Sequence, residues 1–379
     1  MISTYPPRLC GLATFAAALG GALARAGHLV EVMRLQDGTD LVSPIPPVIG
    51  DIVNGNSRSI RRAAARLSLC DAVIIQHEYG IFGGVDGREV LDLVDGITAP
   101  VVTVLHTVPR QPTPGQRFVL NELCARSTSV VVMSQMAERR LLSTYVVDAS
   151  RVDVIPHGAV AMAGSVSSST VGQRDARVTP RPPQLLTWGL LGPGKGIENV
   201  IDALALLDDM QPRPRYTIAG VTHPKVLTAV GDGYRRSLVR RVRDAGLAES
   251  IDFDDTYRDV RELSRFVASA SLVVLPYDSR DQITSGVLVD ALAAGRPVIA
   301  TAFPHAVELL SDGAGIVVQH GDPAALAAAI RLVLEQPERL EAMAAKAREM
   351  APELSWGAVS HSYAGHITRL LEEDAAVAI

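Results

Sequence analysis

Between Ser271 and Thr301 the chain reads SLVVLPY, DSRDQITSG, GVLVDALAAG and RPVIAT: a short apolar run, a polar turn, an Ala/Leu helix and a second short apolar run. Strand, helix and strand in that order are the signature of a parallel sheet. The alternation recurs in both halves. In the first, a helix over 12–26 leads through Ala26-Gly27-His28 to LVEVMRL, and further strands read DAVIIQHE (71–78), APVVTVLHT (99–107), TSVVVMS (128–134) and RVDVIPH (151–157). The second half restarts at QLLTWGLL (184–191) and adds PRYTIAG (214–220), SIDFDD (250–255) and AGIVVQ (314–319). Between them, residues 163–183 are rich in Ser, Gly, Arg and Pro without periodicity, the composition of a linker.

The expected fold class is therefore α/β, with two Rossmann-like, doubly wound parallel-sheet domains facing an interdomain cleft. An N-terminal domain over 1–165 is followed by a linker at 166–183 and a second domain over 184–352. A terminal helix within 353–379, opened by Ser355-Trp356, is expected to cross back to the first domain. In such sheets ligands bind outside the carboxyl ends of the strands.

Bulk properties narrow the function. A hydrophobic content of 47% with 20% charged residues is that of a packed globular protein, and a net charge of −5 gives no case for nucleic-acid binding. Three dispersed cysteines (Cys10, Cys70, Cys124) do not make a disulfide framework, and neither a signal peptide nor a membrane-spanning run is evident. A cytoplasmic location is expected. Arginine-rich helical faces such as Arg235, Arg236, Arg240, Arg241 and Arg243 leave weak membrane-surface contact and a homodimer open, with a solvated face as the simpler reading.

Only three lysines occur, and Lys195 lies in a glycine turn, GLLGPGKG, between an apolar strand and the helix IENVIDALALL. Glycines such as Gly194 let backbone approach a phosphate, and the lysine adds a point charge. The spacing matches the first part of a P-loop, but Gly196 stands where that motif needs a magnesium-binding hydroxyl. In DSRDQITSG, free N–H groups at a helix start (Ser285, Gly286, Val287) suit a phosphate, while Gln282, Thr284 and Ser285 suit sugar hydroxyls. Asp290 lies one turn into that helix. Near the N-terminus, YPPRLCG offers Arg8 and Gly11 before the first helix, as a diphosphate contact or simply as a capping turn.

His106 ends a strand where an imidazole could bond a reacting sugar or shuttle a proton near neutral pH. Glu78, Tyr79 and Gly83 end the preceding strand and are expected on the acceptor side. No cluster has convincing metal spacing, so no metal and no cofactor are expected beyond a nucleotide-sugar co-substrate. A nucleotide kinase or ATPase, or a non-catalytic sugar-nucleotide binder, are the alternatives.

Taken together, these pieces resemble retaining glycosyltransferases of GT-B architecture, family 4 (GT4). The resemblance runs from the N-terminal glycine loop and Gly27-His28 through Ile155-Pro-His-Gly158 to the tail helix, and is strongest over Ala291-Leu-Ala-Ala-Gly-Arg-Pro-Val-Ile-Ala-Thr301. QHEYGIFGG, LHTVP and QITSG also resemble a bacterial subgroup often described as mannosyltransferases. The resemblance implies transfer of a hexose, with a lean toward mannose from a GDP-sugar, to a hydroxyl or thiol of a small-molecule, saccharide or lipid acceptor. It implies base and ribose near Tyr257 and Asp290, diphosphate at Lys195, Gly11 and the Ser285–Gly286 amides, and donor sugar at Gln282, Thr284 and His106. Gln282 and Asp290 stand where the family usually carries two glutamates, and Leu190 where it carries an arginine. Arg8, Arg258 or the Ser285–Gly286 amides would have to compensate for that arginine.

Overall fold

The computed structural model describes residues 1–8, 10–38, 44–160, 182–256 and 258–377, so Tyr257 and nearly all of the expected linker at 166–183 lie outside the described residues. The chain divides into two compact units, Met1–Gly158 with Trp356–Ile379, and Ala159–Ser355.

In the first unit the chain alternates β1 (Ile2–Ser3), α1 (Gly11–Arg25), β2 (Val32–Gln36), β3 (Val48–Val53), α2 (Ser57–Leu67), β4 (Val73–His77), α3 (Glu89–Asp95), β5 (Val101–Leu105), α4 (Pro114–Arg126), β6 (Ser129–Val132), α5 (Gln135–Thr144) and β7 (Val152–Val154). The seven strands form one parallel sheet in the order β3-β2-β1-β4-β5-β6-β7. Chain order reverses between β1 and β4, so the crevice of this sheet opens between the loops that follow those two strands.

The second unit repeats the plan with β8 (Gln184–Trp188), α6 (Ile197–Ala205), β9 (Arg215–Ala219), α7 (Pro224–Val230), α8 (Gly233–Asp244), β10 (Ile251–Asp254), α9 (Val260–Ser269), β11 (Leu272–Leu275), α10 (Gly286–Ala293), β12 (Val298–Thr301), α11 (Pro304–Leu309), β13 (Gly315–Val318), α12 (Pro323–Glu335) and α13 (Pro337–Met350). Its parallel sheet runs β10-β9-β8-β11-β12-β13, with the reversal between β8 and β11. Strand alternation explains the continuous apolar runs. Leu185, Leu272, Val274 and Ile299 pack into one core, and Leu186, Val273, Leu275, Val298 and Ala300 into the core on the other face. The two faces of this sheet are thus covered by different helices, as two doubly wound sheets require.

The last helix, α14 (Trp356–Val377), belongs to the first unit and packs on α1. Trp356 meets Phe15 edge-on with ring centroids 5.1 Å apart, and His366 bonds Ser129 across 2.9 Å. Gly158 lies under the Trp356 indole, where a Cβ would sit 2.4 Å from the ring. Gly158→Ala is therefore expected to lower stability by about 2 kcal/mol through overpacking, read as a lower urea midpoint with an unchanged m-value. No helix among the described residues is long and apolar enough to cross a membrane.

Candidate functional site

In the second unit the loops at the sheet reversal are those after β8 and β11. The first needs left-handed backbone at Gly189, Gly194 and Gly196, with φ of +123°, +87° and +63°. At Gly196 a Cβ would come within 1.9 Å of the Pro276 carbonyl oxygen, so the turn is wedged against the end of β11. Asp278 N–H donates to Gly194 O across 3.0 Å and ties the two loops together. No serine or threonine fits at position 196, which removes the magnesium hydroxyl a P-loop requires.

That geometry sets Lys195. Its Nζ lies 4.5 Å from the centroid of the buried Tyr277 ring, and Tyr277 stacks in turn on Phe303 at 5.2 Å. The residue is half-buried, and burial lowers its ammonium pKa. Among the described residues no carboxylate pairs with it. Its charge is held by a ring face alone, an attraction strengthened by desolvation.

The turn after β11 ends at Ser285, whose hydroxyl caps α10 by accepting Leu288 N–H across 3.3 Å. The Ser285 N–H donates to His305 Nδ1 at 2.9 Å. The expectation of a Ser285 amide for the diphosphate is corrected here: that donor is already engaged inside the fold. Gly286 and Val287, the first two residues of the helix, keep N–H groups with no acceptor among the described residues. The Gln282 amide donates to Thr284 O across 3.3 Å, and the Thr284 hydroxyl is buried with no partner among the described residues. Asp290, four residues along α10 from Gly286, is half-buried, and desolvation pushes its carboxyl pKa up to about 7.

The arginines proposed to compensate for Leu190 are both held by carboxylates. Arg258 pairs with Asp254, donates to Thr256 O across 3.2 Å and lies over the Phe266 ring. Its charge and hydrogen bonds, with those from Thr256, hold the Asp254 carboxyl down at about 2. Arg8, in the first unit, donates to Asp37 at 2.8 Å. To take the place of the arginine absent at Leu190, either side chain would have to leave its carboxylate.

In the first unit the loops after β1, β4 and β5 carry the expected residues. Gly11 begins α1 and is exposed with open space around it; Cys10 caps the helix, its Sγ accepting Ala13 N–H at 3.4 Å. His106 Nε2 lies 2.7 Å from Gln76 Oε1. An amide oxygen only accepts, so the proton is on Nε2 and the lone pair is on Nδ1. Burial first, then His157 and His77, push the His106 pKa down to about 3. The expected proton shuttle near neutral pH is thereby corrected: this imidazole stays neutral and serves as a hydrogen-bonding group.

Thr107 donates its hydroxyl to the Glu78 carboxylate, which lies half-buried at the end of β4. Tyr79, expected to hold acceptor hydroxyls, is buried instead, with its hydroxyl donating to Gln116 O at 3.3 Å and its ring edge-on to His77. A Cβ at Gly83 would meet the Glu89 carboxylate at 2.3 Å, so a larger residue there would push that side chain aside. Glu89 in turn accepts Gly55 N–H, which fixes the loop after β4 to the end of β3. The sequence alone gives no role to His305, and it offers Gln76 and His157 only as members of the runs QHEYGIFGG and Ile155-Pro-His-Gly158. All three lie within 5 Å of expected residues or their aromatic supports, His157 through the Phe15 ring at 5.0 Å.

Residues 10–160 match the family described as Glycosyltransferase Family 4, and residues 173–350 match Glycosyl transferases group 1. A D-inositol 3-phosphate glycosyltransferase of Geodermatophilus obscurus is 28% identical over 296 residues, which cover 74% of this chain and 64% of that relative. The chain thus matches just under two thirds of that relative's length. A protein of the same description from Segniliparus rotundus is 23% identical over 89% of this chain and 80% of its own length. Among solved structures, Anabaena HepE in complex with UDP superposes with a TM-score of 0.75 at 19% identity, covering 97% of this chain and 99% of that one. Sucrose-phosphate synthase of Thermosynechococcus elongatus gives 0.75 at 19% identity over 98% of each chain. Both family matches, following one another along two doubly wound units with a glycine turn at the reversal of the second, lead to one assignment: the chain belongs to the family 4 glycosyltransferases of GT-B architecture.

Proposed function

We propose that this protein is a retaining hexosyltransferase that moves a hexose from a nucleoside diphosphate sugar to a hydroxyl- or thiol-bearing acceptor without a metal ion. The observation that carries the reading is the Lys195 ammonium, half-buried on the Tyr277 face with no carboxylate beside it among the described residues. A desolvated cation of this kind is favourable once an anion joins it. A diphosphate supplies that anion, and the open Gly286 and Val287 amides at the positive end of α10 add donors to it.

Asp290 would accept hydrogen bonds from the ribose diol, and Gln282 and Thr284 would meet the donor sugar. His106 would offer its Nδ1 lone pair to a sugar hydroxyl. As the bond from sugar C1 to the diphosphate oxygen breaks, negative charge grows on the leaving phosphate, and Lys195 with the two amides stabilises it most at that point. The acceptor oxygen bonds C1 on the face the diphosphate leaves, and its proton passes to a phosphate oxygen.

The donor favoured by the sequence is a GDP-hexose, mannose first. A UDP-hexose is the second candidate, because HepE has been solved in complex with UDP-glucose. A phosphorylated polyol belongs among the acceptors tested, given the description of the curated relatives. Thermal shift against GDP, UDP, ADP and TDP is expected to give one clear stabiliser. The hexose donor of that nucleotide should then be consumed at a rate unchanged by EDTA. Stabilisation by ATP with magnesium, and by none of the diphosphates, would replace this reading with a kinase.

A further inference from the structure

The segment that follows β12 supports both polar halves of the second unit's site. Phe303 is fully buried and stacks on Tyr277, the ring that carries Lys195. Two residues on, at the start of α11, His305 is also buried. Its Nδ1 accepts the Ser285 N–H at 2.9 Å, while its backbone N–H donates to Gln282 O across 3.4 Å. The turn Gln282–Gly286 is therefore held at both of its ends by one residue of another loop. Because the Ser285 N–H donates to Nδ1, the His305 proton is on Nε2.

We propose that His305 is a positioning residue for donor binding: by engaging the Ser285 amide it fixes the turn before α10 and leaves Gly286 and Val287, rather than Ser285, to meet the phosphate. The inference rests on the hexosyltransferase reading for its ligand, but not for its geometry. Without an acceptor at Nδ1, the buried Ser285 N–H loses its partner and the turn must move to find another. The cap that Ser285 Oγ makes to Leu288 N–H moves with it, and with the cap go the directions of the two open amides. Lys195, resting on the Tyr277 ring that Phe303 backs, is not displaced.

Two substitutions separate the hydrogen bond from the bulk of the ring. An asparagine at 305 places its side-chain oxygen where Nδ1 lies, whereas a glutamine reaches to the position of Nε2. His305→Asn is expected to retain donor KM and nucleoside diphosphate Kd within about threefold, and His305→Gln to raise both about tenfold or more, the equivalent of one lost hydrogen bond. Acceptor KM should stay unchanged in both. Hydrogen exchange over residues 282–288 of the free protein should quicken in His305→Gln and stay protected in His305→Asn. Equal impairment of the two variants would overturn the proposal, because it would assign the effect to packing. So would unchanged exchange in His305→Gln, or faster exchange that left the diphosphate Kd unmoved. If the unsubstituted protein bound no nucleoside diphosphate and consumed no donor sugar, the proposed function would fall. The exchange comparison would then still decide whether His305 fixes the turn.

Discussion

Lys195→Ala is expected to lower kcat/KM for donor about 10²–10³-fold, the scale seen when one preorganised donor to a developing oxyanion is removed. The argument is electrostatic. The ammonium is poorly solvated and has no carboxylate among the described residues to neutralise it, so its interaction with charge arriving on the leaving phosphate is little screened. Stability should change by no more than about 0.5 kcal/mol, because the lost attraction to Tyr277 and the relieved burial of a cation act in opposite directions. The measurement is a steady-state donor titration beside a melting curve. A variant with wild-type kcat/KM would remove Lys195 from the chemistry, and a collapsed melting curve would make the kinetic loss uninterpretable as catalysis.

The second large effect is expected at Asp290, where stability and binding move in opposite directions. Burial raises its carboxyl pKa to about 7, from a model-peptide value near 4. Between those two values the folded state binds more protons than the unfolded state, so stability falls as pH rises through that window and its cost is complete above about 7. Asp290→Asn is thus expected to raise stability at pH 8 by on the order of 2 kcal/mol, discounted from the full shift because the residue as a whole is only half-buried, and to change little at pH 4. Donor affinity should show the reverse. In the unsubstituted protein it should climb about tenfold per pH unit toward 7 and then level, since the carboxylate is the form that accepts ribose hydroxyl protons. The asparagine variant should bind more weakly and lose that slope. Chemical denaturation at the two pH values, with diphosphate titrations from pH 5.5 to 8.5, tests both halves. A variant less stable than the parent at pH 8 would show that the carboxylate is satisfied within the fold.

How much of this was readable before any coordinates follows from the range of the interactions. Strand alternation is local, so both parallel sheets could be read from runs such as SLVVLPY and RPVIAT. The glycine turn at Lys195 was also local: left-handed backbone at Gly194 and Gly196 is a property of those residues. Side-chain partnerships were not legible. Arg8 meets Asp37 from 29 positions away, Ser285 meets His305 from 20, and Tyr79 meets Gln116 from 37. No spacing rule links such pairs, because the intervening chain is a folded layer whose geometry decides the contact. The state of the His106 proton was out of reach for the same reason. A strand-end histidine was visible, but its pKa depends on His157, His77 and the burial around them, none adjacent to it in sequence.

The ring beneath Lys195 has a consequence for turnover. A cation resting on an aromatic face presents no internal anion that an incoming ligand must first dislodge, so polyphosphates meet a receptive surface at once. On the proposed function, the departing nucleotide meets the same cation. Such an enzyme is prone to being slowed by its own by-product, and an enzyme that hydrolyses nucleoside diphosphates, added to the assay, should prolong the linear phase of the reaction.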